Sequence, residues 1–341
     1  MKNIVAITHP RHEADVLESF CRHTLTFCDS ILVFAGVRHA DNTMEILEGL
    51  ISEGMNIRLY HMNAPLAEVF SLARTNVMVK YAFEQLGADL VLPLDPDEFL
   101  FHVDGINPRI ALERLPAEAE VFYEWRSFIY DRDPDCDSTF LPDFFTEYRT
   151  NHDWKYFKKT AISKLLFEKY SINTTPGSHF LDYPSGEAAP AYQAKELMLA
   201  HYPLRGTVQV MIKILTGELY NRARQNAGGF QWSKPYKDIV EAGGITPEEV
   251  REMSIYYAIQ PEYREEVSIK NGAAPFGYYE HPALKYTRYN VENMEKFLIQ
   301  NLCMRFEESI ELMHALHAGE MSALSAEVGL LLDSLKKFGR S

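Results

Sequence analysis

The chain has 341 residues, 46 % of them hydrophobic and 24 % charged, with 34 basic against 48 acidic side chains and a formal net charge of −14 at neutral pH. Those proportions match soluble globular chains and exclude a disordered tail or a collagen-like fibre. The acidic balance argues against wrapping nucleic acid or lying on an anionic membrane, and the length allows one large or two ordinary domains.

Ile4 to Thr8 is a short apolar run that reads as a first strand, and Val16, Leu17, Phe20 and Leu25 follow at helical spacing. Ser30 to Phe34 reads as a second strand, closed by Ala35-Gly36. A helix starts near Asp41-Asn42-Thr43, where the residue types suit capping, and carries Met44, Ile46, Leu47, Leu50 and Ile51 up to Gly54. Ile57 to Tyr60 is a third strand. Leu66, Val69, Phe70, Ala73 and Val77 fall on one face of a helix that Gly87 closes, and Leu90 to Leu94 is a fourth strand. Alternating strands and helices with short turns predict right-handed βαβ units, a mainly parallel sheet covered on both faces, and ligands at its carboxyl edge. Pro93 removes a ladder donor, near the strand end where the loss matters least.

The stretch 120–240 is aromatic-rich, with extended runs such as Val121 to Trp125, and from Thr246 onward the pattern turns helical. Met321, Leu324, Val328, Leu331, Leu335 and Phe338 form a short heptad seam. Packing on its own domain is the preferred reading of that seam, and a homodimer through these C-terminal helices is the other. Four cysteines without a C-x-x-C pair are neither a disulfide framework nor a zinc pattern, so a reducing compartment is expected. The opening MKNIVAITHP lacks the apolar core of a secretory signal, and no apolar run approaches the roughly 20 residues of a membrane helix. A cytoplasmic protein without a transmembrane segment is expected.

The strongest chemical signal is Leu94-Asp95-Pro96-Asp97-Glu98-Phe99, three acids in four positions just past the fourth strand. Crowded carboxylates repel one another unless a cation sits between them, and hard oxygen ligands suit Mg²⁺ or Mn²⁺ carrying substrate phosphates. The bland reading of the same residues is an acidic surface turn.

Gly87 to Leu100, containing that D-x-D-E-F, resembles the corresponding segment of family 2-type glycosyltransferases with the GT-A fold. Other segments fall in the same order. His12-Glu13-Ala14-Asp15 resembles the family's N-E, Asp41-Asn42-Thr43 its D-G-T, and Arg74-Thr75-Asn76 its A-R-N. Lys164, Gly177-Ser178-His179, His201-Tyr202-Pro203-Leu204-Arg205, Lys213 and Gly217 resemble the tail of a bacterial subfamily. The likeness spans residues 1–220 and departs in two places. Phe34-Ala35-Gly36-Val37 lacks the aspartate that contacts the nucleotide base, and Asn42 replaces the glycine of D-G-T.

The resemblance implies a GT-A-like domain over 1–240, of the α/β Rossmann-like class with a mainly parallel sheet, followed by a helical C-terminal region over 241–341. It implies an enzyme that moves a sugar from a nucleotide-diphosphate sugar to an acceptor hydroxyl, inverting the anomeric centre, with a glycan or glycolipid as acceptor. Surface-polysaccharide synthesis is the setting that kinship suggests. A divalent metal, Mn²⁺ or Mg²⁺, would be held by Asp95, Asp97 and His179. Glu13, Asp41, Arg74, Asp95, His201 and Arg205 would contact substrate, with Lys213 a further phosphate contact. Tyr202, Trp125 and Trp154 are candidates for stacking on a sugar. For the general base, Glu124, Asp143 and Glu147 stand as equal candidates. Two other readings compete: a sugar-nucleotide or glycan-binding module without turnover, and a phosphohydrolase with an aspartate nucleophile. The phosphohydrolase motif, however, follows a first strand and has Thr or Val where Phe99 stands. No P-loop and no G-x-G-x-x-G occurs.

Overall fold

The computed structural model describes residues 1–35, 39, 41–61, 71–133, 139–150, 158–223, 244–259, 261–286 and 303. Their centre is an eight-stranded sheet in the order β3-β2-β1-β4-β8-β6-β11-β5. It is built from β1 (Ile4–Thr8), β2 (Ser30–Phe34), β3 (Ile57–Tyr60), β4 (Leu90–Pro93), β5 (Glu98–His102), β6 (Glu120–Ser127), β8 (Lys158–Ser163) and β11 (Ala191–His201). The first four strands are mutually parallel, as are β6 and β11. Antiparallel β8 joins the two groups, and β5 runs antiparallel to β11 on the far edge. The fold is therefore α/β on a mainly parallel sheet, as the alternating pattern predicts.

Side-chain alternation sorts each strand onto two cores. Ile4 and Ala6 of β1 and Ile31 and Val33 of β2 pack with Phe20 and Leu47, from α1 (Leu17–Thr24) and α2 (Thr43–Ser52). Val5, Ile7, Leu32 and Phe34 face the other way, onto α3 (Ser71–Glu84) and Leu166 of α5 (Lys164–Tyr170). A four-residue helix, α4 (Arg109–Leu112), lies between β5 and β6. Gly54 and Gly87 end α2 and α3 with φ of +86° and +65°, values an L side chain adopts only under strain. Pro93 sits at the last rung of β4, opposite Ile7, and the next N–H, that of Leu94, still donates to the Ile7 carbonyl at 3.0 Å.

Two expectations shift. The buried stripe of α3 is Met78, Val79, Ala82 and Phe83, with Val77 half-buried. Apolar residues run continuously from Val77 to Val79, so the sequence allows either phase of the helix. Arg74 takes the sheet-edge position, over the Phe34 ring. Leu66, Val69 and Phe70 lie outside the described residues. Among the described residues after Thr246, α-helix is found at Cys303 and in α7 (Pro247–Ile255), which Thr246 and Glu249 open with a capping box. Beyond it, Pro261, Pro275 and Pro282 interrupt the helical pattern.

There the chain instead forms β12 (Ser268–Asn271), paired with β7 (Glu147–Thr150), and then packs Phe276, Tyr278 and Tyr279 onto the first core. Glu18 of α1 anchors this segment by accepting hydrogen bonds from the backbone N–H groups of Lys285 and Tyr286. The heptad seam and the 240/241 boundary lie outside the described residues. Among the described residues, no helix is long and apolar enough to cross a membrane.

Candidate functional site

In the order 3-2-1-4, β1 connects onward to β2 on one side while β4 lies on its other side. The carboxyl ends of β1 and β4 thus flank the switch point where open α/β sheets bind ligands. The loop after β1 carries Glu13 and Asp15, and the turn after β4 carries Asp95 and Asp97. The antiparallel register His201↔Glu98 brings the end of β11, with Arg205 just beyond it, against the same turn. α6 (Thr207–Ala223) starts next and supplies Lys213.

Arg205 is the hub. Its side chain is fully buried and bonds Asp15 in fork geometry, at 2.6 and 2.9 Å. It also pairs with Glu13 and reaches Asp97 at 3.4 Å and the Tyr202 carbonyl at 3.1 Å. Lys213 Nζ lies 3.5 Å from the same Asp97 oxygen and donates to the Pro203 carbonyl at 3.0 Å. Burial opposes ionisation of Asp97, but the charges of Lys213 and Arg205 outweigh it and hold its carboxyl below the usual range. Burial pushes Glu13 the other way, up to about 8, against the pull of Arg205.

A second ion cluster sits beside the first. The turn closes as Asp95 N–H donates to Glu98 at 2.8 Å and Glu98 N–H to the Asp95 carbonyl at 3.0 Å. Lys159, buried on β8, bonds Asp95 at 2.8 Å and Glu98 at 3.0 Å. Burial works against its charge, and the two carboxylates hold it above the ordinary lysine range.

Residues 209, 212, 213, 216 and 217 make one face of α6, and this face with Arg11, His12 and Glu13 lines a cleft of about 210 Å³. Past its β1 side, His12 and His39 approach with ring centroids 6.0 Å apart, and His12 Nδ1 lies 3.9 Å from Asp41. Asp41 accepts from the N–H groups of Ala14 at 3.2 Å and Thr43 at 3.1 Å, the latter opening α2. The ligand atoms of His12, His39 and Asp41 lie within 4.8 Å of one another, so this group could hold a metal ion.

The structure therefore gathers Glu13, Asp97, Arg205 and Lys213 into one cluster, with Asp95 alongside. His201 adjoins them: its Nε2 is 3.9 Å from Asp97, its ring is 4.3 Å from Trp125, and burial pulls it down to about 3, so it is neutral. His179 contacts the same indole at 5.1 Å, while its Nδ1 is 2.9 Å from the Lys158 carbonyl. Asp95, Asp97 and His179 do not form a converging ligand group among the described residues. Arg74 lies with its guanidinium 4.9 Å from the Phe34 ring centroid, on the β2 side.

Tyr202 is buried and stacked on Phe128, which places it in the core, and Trp154 lies outside the described residues. Glu124 accepts from Gln193, Asp143 meets His281 at 2.7 Å, and Glu147 pairs with Arg251. Sequence reasoning missed the parts played by Lys159, Asp15, His12 and His39. Asp15 had a usable signal, since it stands two residues from Glu13 in the same short loop.

No protein-family profile matches the chain, and no curated protein sequence is similar to it. Among solved structures, a mannose-1-phosphate geranyltransferase from Thermus thermophilus aligns over 59 % of this chain and 74 % of its own, with 12 % identity and a TM-score of 0.27. A likeness at that level carries no functional argument.

Proposed function

We propose that the protein is a transferase that uses a nucleotide-diphosphate sugar and delivers the sugar to an acceptor hydroxyl. One observation carries this reading. Glu13, Asp95 and Asp97, Arg205 and Lys213 come from separate segments, each resembling a glycosyltransferase motif, and they meet at the switch point of the sheet. The cleft beside them, with Arg11 and Lys213 on its walls, suits a diphosphate. With Glu13 protonated, Asp15 and Asp97 balance Arg205 and Lys213, so an entering diphosphate meets a site of little net negative charge despite the chain's −14.

The divalent ion that the resemblance implies was expected between Asp95, Asp97 and His179. Those residues do not fit a shared ion as arranged. Asp95 holds Lys159, Asp97 holds Arg205 and Lys213, and His179 Nδ1 sits on a backbone carbonyl. No step is therefore routed through a metal at that turn. In this reading, the acceptor oxygen bonds the anomeric carbon as the bond from that carbon to the diphosphate breaks, and a carboxylate acting as general base takes the hydroxyl proton. Lys213 and Arg11 meet the charge that develops on the departing nucleoside diphosphate.

Acids neutralised from within also favour a second reading, a domain that binds a sugar nucleotide without turnover. A panel of nucleotide sugars separates the possibilities. The transferase releases nucleoside diphosphate from at least one of them and no phosphate from phosphomonoesters. Binding without release supports the module, and phosphate release from monoesters supports a phosphohydrolase.

A further inference from the structure

We propose that His12, His39 and Asp41 form a binding site for a divalent transition-metal ion of the zinc class, on the loops after β1 and β2 and apart from the Asp95–Asp97 turn. Two imidazoles and one carboxylate are the donor set of sites that hold zinc with three protein ligands and leave a position open. The ligand atoms already lie within 4.8 Å of one another, and zinc binds imidazole and carboxylate donors at about 2 Å each.

His39 is the residue that calls for an ion. Both its ring nitrogens are buried and neither has a hydrogen-bond partner. Leaving such groups unsatisfied is costly, and native structures rarely do so without a reason. Capping of α2 accounts for Asp41, through its bonds from Ala14 and Thr43, but not for an imidazole turned inward beside it. Those same two backbone bonds fix the carboxylate as outer-shell contacts fix metal ligands.

His12 has a φ of +55°, a left-handed value costly for a non-glycine residue, and its ring is held between Asp41 and His39. Backbone strain of this kind gathers at functional sites. His12 also lines the cleft that Lys213 and Glu13 border, so the proposed site adjoins that space.

The site stands independently of the transferase reading, and its test uses no turnover. Metal-stripped full-length protein is titrated calorimetrically with Zn²⁺, and visible absorption is recorded with Co²⁺ in its place. Expected are one ion per chain, Co²⁺ bands of a nitrogen-ligated centre, and affinity reduced by about 100-fold or more in His39→Gln and in His12→Gln. Asp97→Asn should bind as the wild type does. Absence of saturable wild-type binding overturns the proposal. So does binding unchanged in both histidine variants, or abolished in Asp97→Asn. Circular dichroism of the metal-free variants shows that they fold; should His39→Gln fail there, His12→Gln and the wild-type Co²⁺ spectrum decide.

Discussion

Arg205 has no exposed side-chain surface and three carboxylates around it, so the charge state of the site depends on which of those acids keeps a proton. Glu13 is the one that burial drives upward, to about 8 from an ordinary 4.5. Between those values the folded chain binds a proton that the unfolded chain releases, so this residue makes stability fall as pH rises through the window. Asp97 acts in the opposite sense: its stabilisation is present above the ordinary aspartate range and is lost as pH falls below it. Glu13→Gln should therefore flatten the decline in melting temperature between about pH 5 and pH 8 while leaving the acid limb in place. An unchanged slope in the variant would assign the decline to other groups. None of this could be read from Glu13 alone, because its partners stand far away in sequence, at Asp97 and Arg205. The acid-rich turn was legible from composition and position. Lys159, a single lysine on a strand, carries no pattern, and its role appears only when β8 is placed beside β4. His12 and His39 sit in separate loops that only the β1–β2 pairing brings together.

Elements were legible where one periodicity dominated. Strands β1, β2 and β4 are largely apolar runs, and α2 presents a single buried stripe, so pattern and fold agree there. The phase of α3 was not fixed, because Val77, Met78 and Val79 offer apolar side chains to adjacent directions. The segment after α7 misled for a different reason: its proline breaks and its strand partner, β7, lie far apart in the chain. That segment is docked through α2 as well as α1. A Cβ added at Gly49 would come within 2.8 Å of the Tyr286 ring. Glycine to alanine inside a helix ordinarily gains about 1 kcal/mol. Here Gly49→Ala should instead lower stability and expose the 276–286 segment to limited proteolysis, since the ring must leave its seat on α2. A gain in melting temperature with unchanged proteolysis would show that this packing carries little weight.

Across the molecule as a whole, the sheet order explains why an acidic protein can offer an anion a place to bind. The switch point between β1 and β4 collects acids from two loops, and β8, the turn after β11 and α6 return three buried or half-buried cations to the same spot. Net charge of the chain and local charge of the site are thereby uncoupled, with long-range repulsion screened beyond roughly 8–10 Å in ordinary salt. The transferase proposal requires this spot to receive the diphosphate of a nucleotide sugar, against the α6 face that carries Lys213. Isothermal titration with a set of nucleoside diphosphates, comparing wild type with Lys213→Met, measures that step alone. Saturable binding of at least one nucleoside diphosphate is expected, weakened about tenfold or more in the variant, as for loss of a charge-assisted phosphate contact. No binding by the wild type, or equal binding by both proteins, would rule the diphosphate out of this cleft.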